Sequence, residues 1–308
     1  MQKELRMFKQ TFLTTRNRGP KILVLSGIHG DETQAVKAVL KLAEEISKSV
    51  NSPASALSKV TSYTFLHGVN DYGLLTHQRE NAFQKETAPS QNLNCLFTPT
   101  YQTPQEVRDL ITPEIEAADI VIDVHNSPVC KDRFLVDYDS YAEKCLSLTK
   151  KTALTPLLRV ANVNAGTVKS KALSLGKIGF TVELNGMGFL GSDPDRGATL
   201  LQDFLISIID SYEKPVTPLD RLEDYLSVFL FSKISGILEW KRLDPFMKKY
   251  DKGETICTVT SLNGKEVQEI KAPFSGGFVY DIPDSLYISK GEPFIEYAKN
   301  PQELFNKA

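Results

Sequence analysis

Three polar clusters, far apart in the chain, have residue types that could do chemistry together. They are His29-Gly30-Asp31-Glu32, the segment from Asp123 to Asn126, and the segment from Glu183 to Gly186. Each cluster lies at the end of an apolar, β-branched run that is typical of a buried parallel strand. In open α/β sheets, ligands bind in the crevice beyond the carboxyl ends of the strands. We therefore expect the three clusters to converge at one edge of a sheet.

Metal binding is the chemistry that these clusters favour. Only four histidines occur in the chain, and two of them are His29 and His125. A catalytic zinc commonly takes three protein ligands from His, Asp and Glu and leaves one position for water. Alone, H-x-x-E is a weak signal, because a loop histidine followed by a glutamate at the helix start arises often by chance. The second histidine, at another strand end, favours one Zn²⁺ per chain held by His29, Glu32 and His125.

Two further carboxylates accompany the expected ligands. Asp123 precedes His125 by two residues and points to the same side of an extended segment. It is expected either to accept a hydrogen bond from a ligand histidine or to cap the following loop. Glu183 lies in an otherwise apolar strand, where an unpaired carboxylate is costly to bury. It is expected either to act as a general base beside the metal or to form a salt bridge with a lysine such as Lys177.

The ordered set of motifs resembles a known family. H-G-D-E after an apolar strand, then D-x-H-N, then V-E-L-N-G are similar to the succinylglutamate desuccinylase and aspartoacylase family, a branch of the zinc carboxypeptidase fold. The resemblance covers residues 21 to about 215. It implies that His29, Glu32 and His125 are the zinc ligands, and that Glu183 is the base and proton shuttle.

Substrate recognition follows the resemblance only in part. Arg79, in T-H-Q-R-E-N, occupies the place of an arginine that polarises the scissile carbonyl, although an exposed loop cation is the alternative. The family typically carries D-L-N-R, whose Asn and Arg hold a substrate carboxylate, and this chain has Asn92-Leu93-Asn94-Cys95. Asn94 matches, but cysteine cannot supply a bidentate fork. Either the substrate lacks that carboxylate or another cation binds it, the candidates being Arg108, Lys131, Arg133, Lys169 and Lys171.

The elements that must position these residues alternate along the chain. Apolar runs predict strands over residues 21–28, 62–69, 119–124, 133–138 and 179–184, and helical periodicity predicts helices near 35–46, 104–118 and 196–212. The stretch 70–103 is polar and predicted to be irregular. This pattern predicts an α/β fold with a mostly parallel mixed sheet flanked by helices. The resemblance implies that this fold is zinc carboxypeptidase-like.

The pattern of apolar and polar residues changes after residue 215. From about residue 231, short alternating segments are separated by Gly, Pro, Asp and Asn, which predicts a small C-terminal all-β domain. We therefore predict a zinc hydrolase catalytic domain over residues 1–215, and a C-terminal β domain with its linker over 216–308.

Bulk properties narrow the class of partner. A net charge of -2 and a pI near 6.2 give no electrostatic reason to propose nucleic acid, and no apolar stretch approaches a membrane span. The four cysteines lack C-x-x-C spacing, which indicates reduced thiols in a cytoplasmic protein. The expected partner is a small acylated molecule, with neither nucleic acid nor membrane. Association into a homo-oligomer is compatible with the sequence.

The expected function is hydrolysis of the amide bond of a small N-acyl amino acid or related acylated compound. The enzyme class is a zinc-dependent amidohydrolase acting on carbon–nitrogen bonds other than peptide bonds. A zinc carboxypeptidase or an esterase is the alternative within enzymes. A non-catalytic metal-binding relative is a third hypothesis, motivated by the altered N-L-N-C segment. Retention of Glu183 beside three metal ligands argues against it.

Overall fold

The computed structural model describes residues 8–15, 19–79, 92–98, 105–127, 132–138, 142–149, 152–160, 166–185, 193–214, 225–241, 249–281, 287–291 and 293–299. The chain divides into two compact units. The first comprises Met1–Ser127, Lys131–Pro156 and Asn164–Leu219, and the second comprises Pro128–Cys130, Leu157–Val163 and Asp220–Ala308. A functional boundary at residue 215 stays a prediction.

Strands and helices are interspersed up to residue 211, and strands alone follow in the described residues. In chain order the elements are β1 (Phe8–Leu13), β2 (Lys21–Ser26), α1 (Thr33–Ser49), β3 (Ser62–His67), α2 (Asp71–Thr76), α3 (Gln105–Ala117), β4 (Ile120–Ser127), β5 (Arg133–Tyr138), α4 (Ala142–Leu148), β6 (Thr155–Val160), α5 (Val168–Ser174), β7 (Ile178–Asn185), α6 (Pro194–Ser211), β8 (Tyr225–Phe231), β9 (Gly236–Trp240), β10 (Thr255–Thr260), β11 (Val267–Lys271), β12 (Phe278–Asp281), β13 (Tyr287–Ile288) and β14 (Pro293–Lys299).

The first unit is built on a mixed sheet with strand order β1-β3-β2-β4-β7-β5. The four strands β3, β2, β4 and β7 are parallel, whereas β1 pairs antiparallel with β3 and β5 pairs antiparallel with β7. Four consecutive residues of β2, from Ile22 to Leu25, are buried, as expected for a strand covered on both faces. The predicted mostly parallel mixed sheet is confirmed.

Helices cover this sheet because each carries one apolar stripe. In α1 the buried residues recur at spacings of three and four, for example Ala35, Ala38, Val39 and Leu42. This helix packs on β2, β3 and β4 and against α6. Helices α3 and α5 join β2, β3 and β4 in a second apolar cluster. Within the described residues, no helix is both long and apolar enough to span a membrane.

Two strands end earlier than predicted, and a helix follows the second one. Gly27 (φ 77°) and Gly68 (φ 64°) adopt left-handed conformations directly after β2 and β3, which terminates both strands. Asn70 then caps α2, since its side-chain oxygen accepts a hydrogen bond from the Gly73 N–H at 2.9 Å. Part of the stretch predicted to be irregular is therefore helical, and its residues 80–91 and 99–103 lie outside the described ones.

The second unit is all β in its described residues. Residues of β6 pair in parallel with β8, and β14 pairs antiparallel with both β8 and β12. A four-stranded antiparallel sheet has the order β11-β10-β9-β13. Buried Leu238, Ile256, Val259 and Ile295 contribute to the apolar core of this unit. The predicted C-terminal β domain is confirmed, with β8 lying where the sequence suggested a linker.

Candidate metal centre and active site

Three buried side chains meet at the carboxyl ends of β2 and β4. His29 lies in the loop after β2, and Glu32 is the residue immediately before α1. His125 lies within β4, which continues two residues beyond it. Each of the three is only 1% exposed. The structure thus brings together the three residues that the sequence predicts as metal ligands.

The donor atoms of these residues form a tight triangle. His29 Nδ1 lies 2.7 Å from Glu32 Oε1, and His125 Nδ1 lies 3.0 Å from Glu32 Oε2. The two Nδ1 atoms are 3.2 Å apart. Tetrahedral zinc with bonds of about 2.0 Å separates its ligand atoms by about 3.3 Å. Within the described part of the chain, this is the group of His, Cys, Asp and Glu side chains that could hold a metal ion.

The outer nitrogens of both imidazoles face oxygen atoms. His29 Nε2 lies 3.2 Å from Asn92 Oδ1, and His125 Nε2 lies 3.0 Å from Asp123 Oδ2. An oxygen beside each Nε2 favours a hydrogen on that atom, so each Nδ1 presents a lone pair toward Glu32 once it carries no hydrogen itself. Lone pairs this close repel one another unless a cation lies between them. The donor set therefore fits a divalent metal.

The electrostatics of the cluster support the same conclusion. Burial, together with the charge of Arg79, lowers the pKa of His29 to about 4, so this ring is neutral near pH 7. Burial opposes ionisation of Glu32, but His29 and His125 outweigh it and hold its pKa well below the usual range. Burial also opposes a charge on His125, and Asp123 and Glu32 overcome it, so its pKa is raised well above normal. A metal ion would take the place of that proton.

Asn126 ties the site together, a role that the sequence analysis did not assign. Its backbone N–H donates to Glu32 Oε2 at 3.1 Å. Its buried side chain accepts a hydrogen bond from the Ala35 N–H in the first turn of α1 and donates to the Leu184 carbonyl at 3.4 Å. One amide thus connects β4, α1 and β7. The available signal was its position directly after His125 in D-x-H-N.

Arg79 is held against the centre by its backbone. Its carbonyl accepts hydrogen bonds from the Gly30 N–H (3.1 Å) and from Asn70 Nδ2 (3.2 Å). A Cβ at position 30 would lie 2.0 Å from the carbonyl carbon of Gly73, so the close approach requires glycine. The guanidinium donates to Glu32 Oε1 at 3.0 Å while 41% of the side chain stays exposed. Arg79 is therefore next to the predicted ligands and still accessible.

Glu183 lies beside His125 on the neighbouring strand. The two residues are Cα partners in the parallel pairing of β4 and β7, so their side chains project from the same face. Glu183 is half-buried. Lys177 is six residues away, just before β7, and a rise of about 3.3 Å per residue places its Cα roughly 20 Å from that of Glu183. This distance is too long for a salt bridge between Glu183 and Lys177, and the role of Glu183 as a base stays a prediction.

The segment predicted to bind substrate packs close to the centre. Asn94 and Cys95 are half-buried in a one-turn helix, Leu93–Cys95, and Asn92 before it reaches His29. The candidate cations occupy different places. Arg108 is half-buried on α3, and Lys169 is buried on α5. Lys171 is half-buried near the Phe97 ring. The Cα of Arg133 is the partner of the Glu183 Cα in the pairing of β5 with β7, and Lys131 lies outside the described residues.

The fold and the site define an α/β protein with a buried His-Glu-His centre, and comparison with known proteins gives its family. The sequence model of the succinylglutamate desuccinylase/aspartoacylase catalytic domain matches residues 18–208. This is more than half of the chain, which therefore belongs to that family. The family name describes removal of acyl groups from small molecules. No curated protein matches the chain.

Solved structures share the fold over nearly the whole chain. An aspartoacylase family protein from Mesorhizobium loti is 18% identical, with a TM-score of 0.65, covering 94% of this chain and 88% of its own. The ectoine utilization protein EutE from Ruegeria pomeroyi, in a product-bound structure, is 20% identical with a TM-score of 0.66 and coverage of 94% and 88%. A succinylglutamate desuccinylase/aspartoacylase from Rhodobacter sphaeroides is 13% identical, with a TM-score of 0.65 and coverage of 95% and 89%.

Proposed function

We propose that the chain is a zinc-dependent amidohydrolase that removes the acyl group from a small N-acyl amino acid or a related acylated compound. The observation that carries the proposal is the buried cluster of His29, Glu32 and His125 with Glu183 in register beside it. Two imidazoles and one carboxylate form the ligand set of hydrolytic zinc sites that keep a position open. A structural site would not need the additional carboxylate.

Zinc at this centre would supply Lewis-acid activation of a water molecule and of the scissile carbonyl. The protein's own groups perform the proton transfers. Glu183 accepts the proton of the attacking water and then donates it to the leaving amine, for which its half-buried position beside His125 is suited. Asp123, 3.0 Å from His125 Nε2, holds that ring in the tautomer that presents Nδ1 to the cluster.

Arg79 stabilises the developing oxyanion in this proposal. Its guanidinium donates to Glu32 Oε1, and 41% of the side chain is exposed, so a substrate oxygen can reach it. Gly30 and Asn70 fix the backbone of Arg79, and Glu32 Oε1 accepts a hydrogen bond from its guanidinium, so the cation is held beside the predicted ligands before substrate binds. Fixed donors of this kind are usually the largest single contribution to catalysis.

A small-molecule substrate is the partner we propose. This is supported by EutE, a protein of similar fold whose structure has a product bound. Asn94 would bind a polar group of the substrate through its amide. Cys95 leaves the adjacent position without the positive charge of an arginine, which favours an amine portion recognised by neutral groups or by a cation elsewhere. We also place the protein in the cytoplasm, on the cysteine spacing of the sequence.

One experiment tests the activity and separates it from its alternatives. The purified chain is analysed for metal content, stripped with a chelator and reloaded with zinc. It is then assayed on N-acyl amino acids, peptides with free C-termini and simple esters. We expect one zinc per chain and chelator-sensitive turnover of acyl amino acids. Turnover confined to peptides or esters identifies the enzyme alternatives, and bound zinc without any turnover favours the non-catalytic one.

A further inference from the structure

We propose that Asn92 is a positioning residue of the metal centre, whose side-chain oxygen fixes the tautomer and the orientation of the His29 ring. The inference rests on the proposed zinc site. It concerns the first residue of N-L-N-C, where the similar motif D-L-N-R has a carboxylate. The observation is the distance of 3.2 Å between Asn92 Oδ1 and His29 Nε2, on the side of the ring that faces away from Glu32.

The orientation of the Asn92 amide is itself determined by a second contact. Its Oδ1 accepts a hydrogen bond from the Asn94 N–H at 2.8 Å, which caps the one-turn helix Leu93–Cys95. The flipped amide would place an NH₂ group against that N–H donor, which is unfavourable. The atom that faces His29 is therefore an acceptor. Nε2 of His29 then carries the hydrogen, and Nδ1 keeps its lone pair for the metal.

The backbone that carries Asn92 is anchored on both sides of the short helix. Leu93 and Leu96 are fully buried in the cluster formed by β2, β3, β4, α3 and α5. The Phe97 N–H donates to the Gly166 carbonyl at 2.9 Å. A side chain on Gly166 would collide with Thr98, so the segment packs closely on the turn before α5. An oxygen held this firmly can determine the angle of the imidazole.

The two ligand histidines consequently have chemically different outer partners. His125 faces the carboxylate of Asp123, whereas His29 faces a neutral amide. An amide oxygen orients the ring without adding negative charge and makes a weaker hydrogen bond than a carboxylate. The negative charge that would balance a divalent cation thus comes from the carboxylates of Glu32 and Asp123, whereas Asn92 only orients the His29 ring.

Three variants separate this role from helix capping. Asn92→Ser keeps a side-chain oxygen for the Asn94 N–H but is one bond too short to reach His29. Asn92→Asp keeps both contacts, and Asn92→Ala keeps neither. Zinc affinity is measured on the full chain by competition with a chromophoric chelator, and the ligand field is followed by visible absorption after Co²⁺ substitution.

We expect Asn92→Ser and Asn92→Ala to bind zinc about 10- to 100-fold more weakly and to shift the Co²⁺ absorption, with Asn92→Asp at least as tight as wild type. Wild-type zinc affinity and an unchanged Co²⁺ spectrum in Asn92→Ser would overturn the inference. If Asn92→Ala alone bound zinc weakly, the role of Asn92 would be to cap the helix, which would overturn it as well. Failure of the wild-type chain to bind zinc at all would instead refute the proposed function.

Discussion

Glu183 and His125 are register partners in the adjacent parallel strands β7 and β4. Two residues earlier on the same strands, Thr181 is the partner of Asp123. The two pairs therefore place four polar side chains next to one another on one face of the sheet. A predicted ligand, its outer partner and the predicted base thus depend on strand pairing and not on a loop. Sites built on strands hold their geometry more closely than sites on loops.

The first prediction concerns Glu183→Gln. The variant should bind zinc as the wild-type chain does, since Glu183 is not among the clustered donor atoms, but kcat should fall at least about 100-fold because the amide cannot take a proton. Metal content and steady-state turnover of an N-acyl amino acid are the measurements. Glu44→Gln, an exposed change on α1, serves as the control. Near-normal turnover in Glu183→Gln would refute the base assignment.

The second prediction concerns Asn126→Ala. The truncation leaves the Ala35 N–H without its acceptor and the Leu184 carbonyl without its donor in a buried environment. We expect a loss of roughly 1–3 kcal/mol in the free energy of unfolding, measured by urea denaturation, together with weaker zinc binding. Asn126→Asp, which can still accept from Ala35, should lose less. A stability equal to that of exposed Asn51→Ala would contradict the role given to Asn126.

The strands and the ligand set could be predicted from sequence because both depend on local signals. Continuous apolar runs mark β2, β4 and β7, and the polar residues at their ends follow from the geometry of a parallel sheet. β1 gave no such signal, since it is an edge strand with four of its six side chains exposed. Helix α2 was missed because its cap, Asn70, lies in a polar stretch that resembles a loop.

The contacts between clusters could not be predicted, because they depend on tertiary geometry. The approach of Asn92 to His29 joins residues 63 positions apart, and that of Asn126 to Ala35 joins residues 91 positions apart. No periodicity or spacing encodes such distances. The same is true of the Arg79 carbonyl, whose position depends on the absence of a side chain at Gly30.

The third prediction uses His67, a buried residue outside the site, to give a pH dependence. Burial lowers the pKa of His67 to about 4, against 6.5 in the unfolded chain. Between these values the unfolded chain binds a proton that the folded chain does not, so His67 makes stability fall as pH decreases through this window, by about 1.4 kcal/mol per pH unit at most. Above pH 6.5 this contribution is absent.

His67→Phe removes the titration and keeps an aromatic ring between Phe8 and Phe65, whose ring centroids lie 6.1 and 5.9 Å from that of His67. The measurement is the free energy of unfolding of both proteins at several pH values. As pH falls from 6.5 to 4.5, the free energy of unfolding of His67→Phe should increase relative to that of the wild-type protein. Parallel curves for the two proteins would show that His67 carries no such linkage.

The last prediction concerns substrate choice and the change Cys95→Arg. Cys95 lies half-buried in the one-turn helix that begins one residue after Asn92. An arginine there would therefore bring a guanidinium close to Asn92, which contacts His29. A charged, bidentate hydrogen bond contributes about 1.5–3 kcal/mol, which corresponds to roughly 10- to 100-fold in kcat/KM. We expect that gain for N-acyl amino acids relative to their neutral C-terminal amides. Cys95→Met, long but uncharged, is the matched control, and an equal substrate ratio in the two variants would contradict the prediction. The wild-type ratio is measured alongside, and a strong preference of the wild-type chain for the carboxylate would show that a cation elsewhere performs the recognition and would equally contradict the prediction.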